Sequence, residues 1–222
     1  MPPRVSVAPP LEFQYLHDDE VQVGVDEAGK GCMIGPVFAG AVIWDPAVPP
    51  LDVKDSKKLS RKKRAVVRKY IEDHALAYGV GSASCEEIDT VNISQATYLA
   101  MHRALDALSE KRLLAGSSLP SSDGNADASP FDRILVDGNL FKPYRCMPHT
   151  CVVGGDNKYV CIAAASILAK ENHDDWITEH FAHDTRYDLM NNKGYGTKAH
   201  MKGLAEHGLC EHHRRSYCKK FI

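Results

Sequence analysis

The stretch that most constrains this chain is Val21 to Val37, which reads VQVGVDEAGKGCMIGPV. Val21, Val23 and Val25 alternate with smaller or polar residues, the period-two signature of a strand with one buried face. The strand runs into two adjacent carboxylates, Asp26 and Glu27, and then into Gly29-Lys30-Gly31, where glycine gives the backbone room for a tight turn. Successive side chains on a strand point to opposite faces, so the two acids serve one pocket only if the backbone twists or bends near the turn. A surface acid pair at a hairpin is the competing reading, because Asp-Glu before glycine is common turn chemistry. Ile34 to Trp44 is apolar and β-prone apart from Gly35-Pro36, and is expected to pair antiparallel with the first strand.

At 222 residues, 44% of them hydrophobic, the chain can bury one sizeable core. No run reaches the roughly 18 apolar residues of a membrane span, and the N-terminal MPPRVSVAPP lacks the apolar centre of a signal peptide. The expectation is a soluble protein with no membrane partner, cytoplasmic, or nuclear or organellar if its source is eukaryotic. Seven cysteines, an odd number without CxxC pairs or zinc spacing, read as reduced thiols. A formal net charge of −2 argues against coating nucleic acid by bulk electrostatics, yet between Lys54 and Lys69 nine of the 27 Lys and Arg residues face a single acid, Asp55. Ser60 is placed to cap a helix there, with Val66, Val67, Tyr70 and Ile71 on its apolar face and the cations outside. That stripe reads either as phosphate-binding surface or as a solvated helix face.

Ala75 to Ala83 reads as a third strand, and Asp89 or Asn92 as the cap of a long helix whose Ile93, Tyr98, Met101, Leu105 and Leu108 enter the core. Residues 1–20, Pro-rich and then acidic, read as a flexible lead-in, and 115–130, AGSSLPSSDGNADASP, as a flexible insertion within a single domain over 21–222. Ile134-Leu135-Val136 is a buried strand ending at Asp137-Gly138. Thr150 to Val153 is another, closing at Gly154-Gly155-Asp156 before an Ala-rich helix from Asn157 through Ala169. Taken alone, Asp137 is a turn aspartate and Asp156 a helix N-cap. Recurrence changes that reading, since Asp26, Glu27, Asp137 and Asp156 all stand beside glycine where a strand stops or a helix starts. Four carboxylates in one pocket repel unless cations neutralise them, and oxygen-only ligation suits Mg²⁺ or Mn²⁺ rather than zinc. His207, His212 and His213 lack a regular ligand motif and read as surface or phosphate-proximal.

DEAGKG followed by GPV, DSKKLS, LVDG, GGD followed by a lysine and AAASILAK, GYGTK, and a terminal HRRSY, in that order over residues 21–217, resemble ribonuclease HII, the type 2 ribonuclease H, in its bacterial form. The resemblance implies an α/β, RNase H-like fold: a mixed central β-sheet flanked by helices, with a helical C-terminal extension over about 190–222. It places the catalytic, metal-binding acids on Asp26, Glu27, Asp137 and Asp156, the glycine-basic-glycine motif on Gly29, Lys30 and Gly31, and the substrate-sensing tyrosine on Tyr195. Lys57 of DSKKLS and the pair Arg214 and Arg215 complete the expected substrate-binding set.

The implied activity is an endonuclease that hydrolyses the RNA strand of RNA/DNA hybrids and cuts 5′ of ribonucleotides embedded in duplex DNA. It would use two divalent ions, Mg²⁺ or Mn²⁺, leave 5′-phosphate and 3′-hydroxyl ends, and serve ribonucleotide and RNA primer removal. A monomer is expected, and a replication or repair clamp partner is not readable. Lys30 departs from the arginine usual in the glycine motif, which a backbone readout survives and a guanidinium contact does not. Glu171-Asn172-His173-Asp174 stands in place of the usual valine and Arg-Asp pair, and the 115–130 insertion and the tail after Tyr217 also fall outside the pattern. Two rival classes compete. Another two-metal nuclease on the same fold has no use for the glycine motif and the GYGT tyrosine, and the four acids count against a non-catalytic nucleic-acid binding module.

Overall fold

The computed structural model describes residues 10–13, 15, 20–51, 53, 59–114 and 130–222. Its strands are β1 (Gln22–Ala28), β2 (Val37–Ile43), β3 (Ala77–Ala83), β4 (Arg133–Asp137) and β5 (His149–Val152). Its helices are α1 (Arg61–His74), α2 (Cys85–Val91), α3 (Ile93–Leu114), α4 (Val160–Phe181), α5 (Leu189–Asn192) and α6 (Lys198–His207). The strands form one sheet in the order β3-β2-β1-β4-β5. The first three are an antiparallel meander, and β4 and β5 extend it in parallel with β1, so the sheet is mixed as expected.

β1 is buried on both faces rather than one. Val23 and Val25 join the core that includes Met101, Leu105 and Leu108 of α3. Gly24 lies under α4 on the other face, where a Cβ would sit 2.3 Å from the Cys161 carbonyl carbon. Gly79 lets α3 approach in the same way, since a Cβ there would lie 2.2 Å from the Ala104 carbonyl oxygen. Both helices therefore ride directly on the sheet backbone.

Ser60 caps α1 by accepting the Lys63 N–H, and Val67 and Ile71 are buried while Val66 is exposed. The expectation that the cations stay outside fails at Arg64, which is buried and pairs with Glu171 at 2.6 Å and Asp174 at 3.1 Å. The same pairing explains why α4 does not end near Ala169. Its polar stretch Glu171 to Asp174 continues inside the protein because Arg64 and Lys170 neutralise the carboxylates. A short α2, capped by Ser84 and Glu87, precedes α3, and Asn92 rather than Asp89 caps α3 by accepting the Ser94 and Gln95 N–H groups.

Part of the expected lead-in is anchored: Glu12 is bridged to Tyr159, and Leu11 packs on the core beneath α4. Residues 1–9, 14 and 16–19, Lys57, and 115–129 of the expected insertion lie outside the described residues. After α4 the chain continues through the short α5 and through α6. Beyond α5 and α6 it returns in turns, meets Ile34 through a bridge at His213, and closes a third apolar cluster around Phe181, Tyr187 and Leu204. All seven cysteines are free, and among the described residues no helix is long and apolar enough to cross a membrane.

Candidate active site

β1 and β4 are parallel neighbours with Val25 level with Val136. Asp26 and Asp137, the next residue on each, therefore stand together toward the carboxyl end of this parallel pair, where open α/β sheets bind ligands. β5 lies beside β4 with Val152 opposite Asp137, and the turn beyond it brings up Gly155, whose N–H donates to Asp137 Oδ1 at 2.7 Å, and then Asp156. Asp156 does not cap α4. That position belongs to Tyr159, and Asp156 lies in a separate 3-10 turn, Gly155–Asn157, accepting from Asn157 Nδ2 at 2.7 Å. Asp26 and Asp156 are buried, and Glu27 and Asp137 are partly so. The expected bend is absent, since the pairing of β1 with β2 continues without a bulge from Gly24 through Ala28; instead β1 runs on past its last pair with β4 at Val25, and Glu27 acts on Asp26 by charge from the next position on regular strand.

The carboxyl of Asp26 is held well above the usual carboxylate range, first by burial and then by the charges of Glu27, Asp137 and Asp156. A hydrogen bond from the Glu27 N–H at 2.7 Å opposes that shift by favouring the charged form. All four acids thus act on one electrostatic neighbourhood, and Lys30 Nζ approaches it at 3.3 Å from Glu27 Oε1. Among the described residues no three His, Cys, Asp or Glu side chains converge closely enough to enclose an ion. The donors nevertheless fit a hard divalent cation: they are all oxygen, they carry surplus negative charge about a buried member, and Mg²⁺ completes its shell with water and substrate phosphate rather than a protein cage.

Gly29 has φ +82°, and a Cβ there would lie 2.4 Å from the His173 ring, so glycine is required twice over. The Lys30 side chain is exposed while its carbonyl accepts from Arg214 Nη1 at 3.1 Å and the Tyr217 hydroxyl at 2.9 Å. Arg214 Nε donates to the Gly35 carbonyl at 2.8 Å. The expectation that Arg214 binds substrate is corrected, because its guanidinium is fully buried and braces the loop from behind. Arg215 is exposed, its backbone N–H held by Asp89 at 2.8 Å. Tyr195 is 45% exposed, its backbone bridged to Cys32 and its ring 3.6 Å from where a Cβ on Gly31 would stand.

His213 is likewise corrected: it is buried, with Nε2 3.0 Å from Nε2 of His200, whereas His207 is exposed and His212 half-buried. The readings from sequence missed Tyr217 and His173 as braces of the Gly29–Gly31 loop. Their only signals are a place in HRRSY and in the departing segment 171–174.

The family profile described as Ribonuclease HII matches residues 23–220. Ribonuclease HII of Parabacteroides distasonis is 42% identical over 203 residues, which cover 91% of this chain and 92% of that protein. The crystal structure of ribonuclease H2 from Pyrococcus horikoshii OT3 aligns at TM-score 0.61 and 23% identity over 90% of this chain and 96% of that one. That of Bst-RNase HIII in complex with Mn²⁺ aligns at TM-score 0.58 and 18% identity over 84% and 70%. The fold is RNase H-like in these structures and in this chain.

Proposed function

The chain belongs to the ribonuclease HII family, hydrolases that cut RNA in RNA/DNA hybrids, and from that premise we propose that it also incises duplex DNA 5′ of a lone embedded ribonucleotide, with two divalent ions held by Asp26, Glu27, Asp137 and Asp156. The observation that carries this reading is the crowding of three carboxylates against buried Asp26, beside a glycine loop braced from behind. When bound there, Mg²⁺ or Mn²⁺ supplies Lewis-acid polarisation of the scissile phosphate and activation of the attacking water. Mn²⁺ is the ion in the HIII complex of the same fold.

The protein's own groups bind and orient. Asp26 and Asp137 present oxygens from adjacent strand ends, and Glu27 and Asp156 complete the two sites. The backbone of Gly29 to Gly31 can approach a ribose closely, and the 2′-hydroxyl is the group that distinguishes RNA from DNA at a given position. The Tyr195 ring packs against the neighbouring sugar. Lys30 and Arg215 meet phosphates, giving affinity without sequence preference. Products carry 5′-phosphate and 3′-hydroxyl, and the task is removal of embedded ribonucleotides and RNA primers.

The test is a labelled duplex with one ribonucleotide, beside all-DNA and all-hybrid controls, with Mg²⁺ and with Mn²⁺. Incision 5′ of the ribonucleotide and in the hybrid, with all-DNA intact, is expected. An uncut single-ribonucleotide duplex with both ions overturns the reading.

A further inference from the structure

Behind Tyr195 two buried imidazoles form a chain whose proton positions are fixed by its ends. His200, in the first turn of α6, places Nδ1 3.1 Å from the Tyr195 carbonyl oxygen and Nε2 3.0 Å from Nε2 of His213. His213 Nδ1 lies 3.0 Å from the Cys210 backbone N–H and 3.1 Å from the Cys210 thiol. A carbonyl only accepts, so His200 carries its proton on Nδ1. A peptide N–H only donates, so His213 Nδ1 is bare and its proton sits on Nε2. The middle contact then closes without conflict, His213 Nε2–H donating to the bare Nε2 of His200. A proton added to either ring would set N–H against N–H or N–H against a donor.

The surroundings keep both rings neutral. The Tyr187 ring packs at 4.8 Å from His213 and 5.8 Å from His200, with Asp184, Arg186 and the Cys210 thiol as the other facing groups. Burial pushes His200 down, and burial followed by His200 pushes His213 down to about 4. The Tyr195 carbonyl also accepts the Thr197 N–H at 2.8 Å, while residue 214, next to His213, holds the carbonyls of Lys30 and Gly35. One short segment therefore reaches both the tyrosine and the glycine loop.

We infer that His200 and His213 are positioning residues, a neutral single-tautomer relay that sets the Tyr195 backbone against the Gly29–Gly31 loop and so governs recognition of a lone ribose within DNA. This rests on the ribose-reading function proposed above. A hybrid offers a 2′-hydroxyl at every position of the RNA strand and is less sensitive to this placement than a single ribonucleotide. The quantity to measure is the ratio of kcat/KM on the single-ribonucleotide duplex to that on the hybrid.

Two substitutions in the full chain separate the halves of the relay. In His200→Asn the side-chain amide stands where Nδ1 stood and keeps the bond to Tyr195. In His200→Gln the amide oxygen stands where Nε2 stood, keeping the bond from His213 and losing Tyr195. The ratio should stay within about threefold of wild type in the first and fall about tenfold in the second, the worth of one neutral hydrogen bond. Independently of any variant's folding, ¹⁵N correlations of the wild-type rings should show Nδ1–H at His200 and Nε2–H at His213. The opposite tautomer at either ring overturns the relay. A wild-type chain that leaves the lone ribonucleotide uncut, or a Tyr195→Ala chain that cuts it normally, overturns the ribose-reading function and the inference with it. A Tyr195-dependent wild type whose Asn and Gln variants behave alike overturns the inference alone.

Discussion

Arg214 donates through Nη1 to the carbonyl oxygen of Lys30 at 3.1 Å, so the last segment of the chain holds the loop that follows β1. Arg214→Ala strands the buried Gly35 carbonyl, at about 1–3 kcal/mol for an acceptor left unpaired, leaves the Lys30 carbonyl to the Tyr217 hydroxyl alone, and should lower the melting temperature. Arg214→Lys should not rescue it, because an ammonium lacks the fork that spans two carbonyls. Exposed Arg215 should behave oppositely. Arg215→Ala should leave melting unchanged and reduce the slope of log affinity against log salt by about 1. An unchanged slope would remove Arg215 from the phosphate contacts.

Asp26 joins stability to catalysis with opposite signs. Its raised folded pKa means that the metal-free native state binds this proton more tightly than the unfolded chain does. The stabilisation is complete below the ordinary carboxylate value of about 3.9 and is lost as pH rises through the raised one. Asp26→Asn should therefore melt higher than wild type near neutral pH in chelator, while losing more activity than the roughly 10–100-fold that follows removal of a group hydrogen-bonded to a metal ligand. Near-normal turnover of this variant at saturating metal would sink the assignment of Asp26 as a ligand.

Asp156 can be tested without disturbing α4, since the helix begins after Tyr159 and asparagine differs from aspartate here mainly in charge. Asp156→Asn should lose cleavage while its melting temperature holds. Retained cleavage with a lowered melting temperature would make Asp156 a structural residue of the 3-10 turn.

What was legible in the sequence is what local pattern records. The alternation of Val23 and Val25, the unbroken Ile134-Leu135-Val136 and the glycines after each acid mark β1, β4 and their ends without reference to any distant residue. Pairings between distant segments leave no such mark. Arg64 looks the same as Lys62 or Lys63 in a run of nine cations, and only the arrival of Glu171 and Asp174 from α4 makes it a core residue. Glu-His-His-Arg-Arg reads as surface by composition. Yet His213 and Arg214 are buried, because α6 supplies His200 to one and the Gly29–Gly35 segment supplies carbonyls to the other.

Removing Arg64 leaves Glu171 buried without its cation and Asp174 with Lys170 alone, and Arg64→Ala should cost about 3–5 kcal/mol in urea unfolding. The same cluster predicts an acid limb. Burial alone would raise the Asp174 carboxyl, but hydrogen bonds from His173 and Lys170 bring it to about 2. With the folded pKa below the unfolded one, its stabilisation is present above about pH 4 and is lost as pH falls toward the folded value. Asp174→Asn should flatten that acid limb. An identical limb in the variant would assign the acid sensitivity elsewhere.

Tyr195 stands half in solvent, so shortening it opens no core cavity, and its main chain is held independently of the ring by Cys32, Thr197 and His200. Tyr195→Ala should therefore cost little in folding, within about 1 kcal/mol. On a duplex with one ribonucleotide the loss should be far larger, because an aromatic face against a nucleotide is worth about 1–3 kcal/mol, roughly ten- to hundredfold in kcat/KM. Tyr195→Phe keeps the face and gives up the hydroxyl, which burial and the Cys32 thiol hold above the usual phenol range. If packing against the sugar is the tyrosine's work, phenylalanine should retain most of the activity that alanine loses. Equal losses in the two variants would move the role to the hydroxyl, and full single-ribonucleotide cleavage by a folded alanine variant would refute the role altogether.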